Sequence, residues 1–368
     1  MKIDSVRFYV TDAVKTSNWF TRYLGFQVID TFQDDNTYSE VVEHNSIYFI
    51  ISSPLNKFSP VGCYLNSHPE GIVDVAFRVD NLQSILDRAA KLGVKILQPI
   101  QQQDKIKSAR IAGWDCLEHS LIESPPQNRY YFLPNLEFKS LPRRFQPAPR
   151  FTNIDHIVLN VAVGELHQAV AYYQDLFDFK IQQTFKIQSK RSGLFSQALV
   201  DSTGQIQFNI NEPTDPNSQI QEFIDLNGGA GIQHLALRAR SACFSRPWNA
   251  SASRRSPNIV ETVSQMRSLG VDFLPIPTAY YHHLRKRIDR YSIDISETEL
   301  QAIAQQEILV DWHQDTPESL LMQIFTQPIL NKPTFFLELI ERRQQAKGFG
   351  EGNFQALYEA VETGQVKE

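Results

Sequence analysis

Cysteine is scarce in this chain: Cys63, Cys116 and Cys243 stand far apart and odd in number among 368 residues. That excludes a complete disulfide framework and a CxxC metal site, and a reducing cytoplasm fits best. No uninterrupted apolar run approaches the roughly 20 residues that span a bilayer. The opening stretch MKIDSVRFYVTDA also lacks the apolar core and small-residue cleavage site of a secretion signal. The sequence thus reads as soluble, unsecreted and cytoplasmic. Nor is there an excess of one charge. Lys and Arg number 36 against 41 Asp and Glu, a formal net charge of -5, which gives no basic field for a polyanion and argues against a nucleic-acid partner.

What is present is enough chain for two domains, with the 42% apolar and 21% charged composition of ordinary globular proteins. The chain also repeats itself. Each copy opens with an alternating apolar stretch, Val6 to Val10 and Ile157 to Val161. A helix-period segment follows, in which Trp19, Phe20, Phe26 and Phe32 match Tyr172, Tyr173, Phe179 and Phe185 at constant offset. Paired strands come next, turning at Asn45-Ser46 and at Ser202-Thr203-Gly204. Each copy closes with a strand, a helix and a last strand: GIVDVAFRV, LQSILDRAAKLGV and KILQP against GIQHLALRA, IVETVSQMRSLGV and DFLPI. The offset rises from 160 at Asp74 and His234 to 177 at Gly93 and Gly270, placing an insertion at residues 239–257 that reads as a polar surface loop. Residues 134–151, with Pro134, Pro142, Pro147 and Pro149, break both helix and sheet patterns and mark the linker. The segments LLMQIFTQP and PTFFLELIERR read as adjacent strands, in a tail that has no counterpart in the first copy.

The duplication shows which chemically capable residues occur in one copy alone. His156 aligns with Ser5 and His234 with Asp74, each histidine inside an apolar strand. Neutral imidazoles held on rigid strands are good metal ligands. Glu338, in FFLELIE, would be costly to bury unpaired, and a cation would remove that cost. Two histidines and one carboxylate form the facial set of non-haem iron(II) sites. The bland alternative pairs Glu338 with Arg342 and leaves both histidines as packed core residues. His119, His282, His283 and His313 are rival ligands; His282 and His283 adjoin Arg285, Lys286 and Arg287, as a solvated helix face would.

The order DHIVLNV, SGLFSQALV, FNINEP, GAGIQHLAL, YYHHLRKRI, LLMQIFT, PTFFLELIER and GFGEGNF resembles the 4-hydroxyphenylpyruvate dioxygenases over nearly the whole chain. The resemblance implies an α+β fold of tandem βαβββ modules, the vicinal oxygen chelate or glyoxalase-like arrangement, in two open-barrel domains. Residues 1–133 would be a degenerate metal-free domain and 152–368 the catalytic one, closed by a C-terminal gating helix. It implies one Fe(II) per chain on His156, His234 and Glu338, and a substrate cavity lined by Ser196, Asn211, Gln219 and Gln323. Phe325, Phe336, Phe349, Asn353 and Phe354 would surround the ring or the gate, with core packing competitive for Phe325.

The implied reaction takes 4-hydroxyphenylpyruvate and O2 to homogentisate and CO2 by oxidative decarboxylation, ring hydroxylation and side-chain migration, in tyrosine breakdown or in quinone and tocopherol synthesis. A homo-oligomer is implied by the same resemblance. The rivals are 4-hydroxymandelate synthase on the same substrate, against which Asn211 and Phe336 weigh, and a non-catalytic binding protein of this fold. A glyoxalase-like isomerase or an extradiol ring-cleaving dioxygenase ranks lower. Two departures bear on backbone shape: Asn209 stands where the family has proline, and Glu307 where it has glycine.

Overall fold

The computed structural model describes residues 1–125, 150–188, 193–240 and 258–353. The first repeat runs β1 (Lys2–Tyr9), α1 (Ala13–Trp19), β2 (Gln27–Gln33), β3 (Thr37–His44), β4 (Ile47–Pro54), α2 (Pro60–Leu65), β5 (Gly71–Arg78), α3 (Leu82–Lys91), β6 (Ile96–Gln103), β7 (Ile106–Ala112) and β8 (Glu118–Glu123). The second runs β9 (Phe151–Asn160), α4 (Leu166–Phe177), β10 (Lys180–Gln188), β11 (Gly193–Val200), β12 (Gln207–Pro213), α5 (Gln219–Asn227), β13 (Gly231–Ala239), α6 (Ile259–Ser268), α7 (Thr278–Tyr291), α8 (Glu297–Gln305), β14 (Leu309–Trp312), β15 (Leu320–Phe325) and β16 (Phe336–Arg342).

Local chemistry sets many of these limits. Asp12 caps α1 by accepting from the Lys15 amide, and Asn258 with Glu261 forms a reciprocal capping box on α6. Asn45, at φ 60, makes the tight β3–β4 turn.

Each repeat forms one eight-stranded sheet, in the orders β2-β3-β4-β1-β5-β8-β7-β6 and β10-β11-β12-β9-β13-β16-β15-β14. The fold is therefore the expected α+β arrangement, two βαβββ modules per sheet. They are joined by the antiparallel pairs β1–β5 and β9–β13, so the central strands of the second sheet are β9, β13 and β16.

Two expectations need correction. The tail strands do have counterparts: β15 and β16 occupy the places that β7 and β8 hold in the first sheet. The match is hidden because α7 and α8 intervene in the second copy only. And DFLPI is not a strand; Phe273 makes one isolated bridge to Thr326, and the sheet edge is β14 instead. Pro275 within that stretch and Pro277 just after it have no ladder donor.

Of the two departures, Asn209 leaves β12 in unbroken register with both neighbours. Glu307 adopts φ 56, a left-handed conformation that glycine enters at less cost, and its carboxylate is held by Arg267 at 2.7 Å. The insertion at 241–257 and most of the linker lie outside the described residues.

The sheets share one apolar core, in which Phe8 meets Phe335 edge to face at 5.3 Å. Helix α4 of the second repeat lies against β8 of the first. His119, fully buried on β8, has Nδ1 2.9 Å from the Val75 carbonyl and Nε2 3.1 Å from the Tyr173 hydroxyl. Burial lowers its pKa, so the ring is neutral, with Nδ1–H donating and Nε2 accepting from Tyr173. This rival ligand is a satisfied core histidine. Substituting Tyr173→Phe removes that donor and leaves Nε2 unpaired, which should cost about 1–3 kcal/mol in denaturant unfolding.

Candidate metal centre and substrate cavity

His156, His234 and Glu338 lie on the adjacent strands β9, β13 and β16. His156 stands opposite Ala236 and His234 opposite Val158, while Ala236 pairs Glu338 and His234 pairs Phe336. Because directly paired residues share a face, the three side chains converge. The His156 Nε2 is 3.0 Å and the His234 Nε2 3.6 Å from the same Glu338 oxygen. Among the described residues this is the cluster of three or more His, Cys, Asp or Glu able to hold an ion, its ligand atoms all within 4.8 Å of one another.

The far side of each imidazole is fixed. His156 Nδ1 is 3.1 Å from the Asp155 carboxylate, and His234 Nδ1 is 3.3 Å from the side-chain carboxamide oxygen of Gln233. Both Nε2 lone pairs are thereby turned inward, as metal-bound histidine requires. Arg342 is turned onto Asp155, with two bonds of 2.8 and 2.7 Å, and the second Glu338 oxygen is buried with no hydrogen-bond partner among the described residues. A cation fits this donor set better than the Glu338–Arg342 alternative does.

The electrostatics agree. Burial opposes charge on His156, but Glu338 and Asp155 outweigh it and push its pKa up to about 9. Burial, and then the neighbouring His156, hold His234 well below the usual histidine range. The two rings share one carboxylate oxygen, at 3.0 and 3.6 Å. Asp155 is itself disfavoured as an anion by burial, yet Arg342 holds its carboxyl well below the usual carboxylate range.

A cavity of about 90 Å³ opens on this cluster, lined among others by Ser196, Asn209, Asn211, Gln219, Gln233, Gln323, Phe325, Phe336 and Phe349. Phe336 stacks on His234 at 4.7 Å, and Phe349 meets His156 edge-on at 5.4 Å. Ser196 and Asn211 face each other across β11 and β12. Gln219 opens α5, whose start Ser218 caps. Gly350, at φ +80, lies so close to Gln323 that a Cβ there would strike its carboxamide. This gives the GFGEGNF glycine a reason. Asn353 is buried but lies off the cavity, accepting from the Tyr280 hydroxyl at 2.8 Å. Phe354 lies outside the described residues. His282, His283 and His313 are exposed. A larger cavity, about 630 Å³, lies between β1 and β9 and has only Asp155 in common with the metal environment.

The profile of the glyoxalase/bleomycin resistance protein/dioxygenase superfamily matches residues 2–105 and 153–242. The chain is 36% identical to an uncharacterized protein of Synechocystis sp., covering 99% of this chain and 98% of that one. It is 32% identical to the 4-hydroxyphenylpyruvate dioxygenase of Xenopus tropicalis, covering 97% and 90%. A solved structure of a triple-substituted 4-hydroxymandelate synthase from Streptomyces coelicolor superposes with TM-score 0.82 at 26% identity, covering 99% and 98%. The chain belongs to that superfamily, in its group of 4-hydroxyphenylpyruvate dioxygenases and 4-hydroxymandelate synthase.

Within this dioxygenase group the first sheet makes an internal control. By the register of β1, β5 and β8, the places of His156, His234 and Glu338 are held there by Ser5, Asp74 and Ser120. Ser120 donates its hydroxyl and amide to Asp74, so that carboxylate is satisfied by protein alone. Sequence reasoning missed Asn209, Gln233, Asp155 and the role of Arg342. Gln233 and Asp155 each precede a histidine, which was the available signal.

Because Arg342 is the partner that keeps Asp155 charged in the core, Arg342→Met should destabilise the fold by about 3–5 kcal/mol in denaturant unfolding. A lowered carboxyl pKa stabilises the native state above the ordinary aspartate range and is lost as the pH falls through the lowered value. The wild type should therefore keep this contribution down to about pH 4 and lose it only below.

Proposed function

We propose that the protein is an iron(II)-dependent dioxygenase that converts 4-hydroxyphenylpyruvate and O2 to homogentisate and CO2, with one iron(II) per chain on His156, His234 and Glu338. The observation that carries this reading is the convergence of those three side chains, oriented from behind by Asp155 and Gln233, on the wall of an aromatic cavity. Two histidines and a carboxylate leave open positions on iron for a chelating 2-oxo acid and for dioxygen. Bound iron would supply the oxygen activation and electron transfer that no side chain can.

The chain's own residues do the rest. Gln323, Ser196, Asn211 and Gln219 line the cavity and would orient the 2-oxo acid and the phenol. Phe336, Phe325 and Phe349 would clamp the ring and keep water from the reacting centre. The gate that the resemblance implies, Phe354 included, lies outside the described residues; Asn353, before it, is held by the Tyr280 hydroxyl. No general acid or base of shifted pKa is required. The division at residues 134–151, with the first half as a metal-free packing domain, and a homo-oligomeric, cytoplasmic enzyme belong to the same reading.

The second reading, 4-hydroxymandelate synthase, is favoured by the structural likeness to that enzyme. The bulk of Phe336 against His234, and the amide of Asn211, favour attack on the ring. A non-catalytic binding protein has no use for a buried carboxylate between two imidazoles.

The test is anaerobic loading with iron(II), then oxygen uptake with 4-hydroxyphenylpyruvate and chromatography of the product. Homogentisate is expected from the wild type, with Glu338→Ala reduced by roughly 100-fold or more in iron-dependent turnover. 4-Hydroxymandelate would transfer the protein to the second reading. Iron bound without oxygen uptake would overturn both enzymatic readings for this substrate.

A further inference from the structure

Asn209 is a polar cavity residue outside the ligand set and the group of Ser196, Asn211, Gln219 and Gln323, and unlike Gln233 it has, among the described residues, no contact with a ligand candidate to account for it. It lies on β12 two residues before Asn211, and alternation along a strand puts both side chains on the cavity face. Its register is informative. Asn209 pairs Val158 on β9, and Val158 pairs His234 on β13, so Asn209 shares a cross-strand row with a metal-ligand candidate. Asn211 and Ser196 lie one row further along, opposite Asn160. Neighbouring strands are about 4.8 Å apart, so Asn209 stands two strands from His234 with Val158 between them, in a cavity wall that also holds the apolar Leu194 and Ile220.

Asn209 is 7% exposed, and its Oδ1 has no hydrogen-bond partner among the described residues. Asn211 differs, since its Nδ2 donates to Asn160 at 3.2 Å. A buried acceptor facing a cavity with no donor is costly to keep, and a ligand that brings the donor removes the cost. The 2-oxo acid end of an aromatic 2-oxo acid carries only acceptors, the ketone and the carboxylate. The donor that such a molecule can offer is a hydroxyl on its ring.

We propose that Asn209 is a specificity-determining residue whose side-chain carbonyl accepts a hydrogen bond from a ring hydroxyl of the bound aromatic 2-oxo acid. This rests on the functional reading above and adds a residue to it. Proline or an aliphatic residue at this point of β12 offers no such acceptor. The chain should therefore discriminate against phenylpyruvate more strongly than a protein with an apolar residue there. A site built around a hydroxyl leaves its own polar group unpaired when the hydroxyl is missing.

The experiment is calorimetric titration of the iron(II)-loaded protein, under anaerobic conditions, with 4-hydroxyphenylpyruvate and with phenylpyruvate. It is repeated for Asn209→Leu, close in shape and apolar, and for Asn209→Ser, which retains a smaller acceptor. The preference of the wild type for the hydroxylated acid should fall roughly tenfold in Asn209→Leu, through weaker binding of the hydroxylated acid, and only partly in Asn209→Ser. The same ratio should appear in kcat/KM from oxygen uptake. Parallel weakening of both acids, or an unmoved ratio, overturns the role of Asn209. If circular dichroism shows Asn209→Leu unfolded, the ratio in Asn209→Ser decides. A wild type that takes up iron but binds neither acid overturns the functional reading and this inference together. A wild type that oxidises 4-hydroxyphenylpyruvate with a ratio indifferent to Asn209 overturns the inference alone.

Discussion

A carboxylate buried at the middle of a sheet has to be neutralised, and the second half of this molecule is arranged around that requirement. Glu338 is 2% exposed, with one oxygen between two imidazoles and the other without a hydrogen-bond partner among the described residues. Removing such a charge from water costs several kcal/mol unless a partner of opposite sign is supplied. The nearby guanidinium that could have served is bound to Asp155. Glu338 thus remains available to an ion, and Asp155 is free to hold His156 in the orientation that ion needs.

The two sheets show what happens with and without that requirement. Both have the same strand order, yet the first answers its central carboxylate, Asp74, with the amide and hydroxyl of Ser120. One fold thereby supports either a closed hydrogen-bonded core or an open ligand set, according to three side chains on three neighbouring strands. The fold constrains where a site can be, and local chemistry decides whether there is one.

The candidate ligand set was legible because duplication supplied its own reference: a histidine facing a serine or an aspartate in the other copy is visible without any structure. The strand order was legible for the same reason, wherever the copies kept step. It failed where α7 and α8 intervene, and at DFLPI, where prolines prevent a ladder that apolar residues suggested. The cavity wall was less accessible to sequence reading. Ser196, Asn211, Gln219 and Gln323 came from resemblance, while Asn209 was noted only as a departure in backbone chemistry. Its significance depends on which residues stand across β9 and β13, and pairing partners far apart in sequence cannot be read from one strand. Arg342 was read as a possible partner for Glu338, because proximity along the chain does not reveal Asp155, 187 positions away.

Arg342 has a second attachment. Besides Asp155, its guanidinium donates to the carbonyls of Ala346 and Gly348 at 3.0 and 2.8 Å, on the stretch leading to Phe349 and Gly350. One planar cation therefore ties the orientation of His156 to the course of the backbone that approaches the cavity from the other side. Thermodynamic coupling of this sort is reciprocal. Whatever affinity the ion gains from an ordered 346–350 segment, the segment gains in order from the ion. Apo and loaded protein would then differ most in amide exchange along a stretch that contributes no ligand atom.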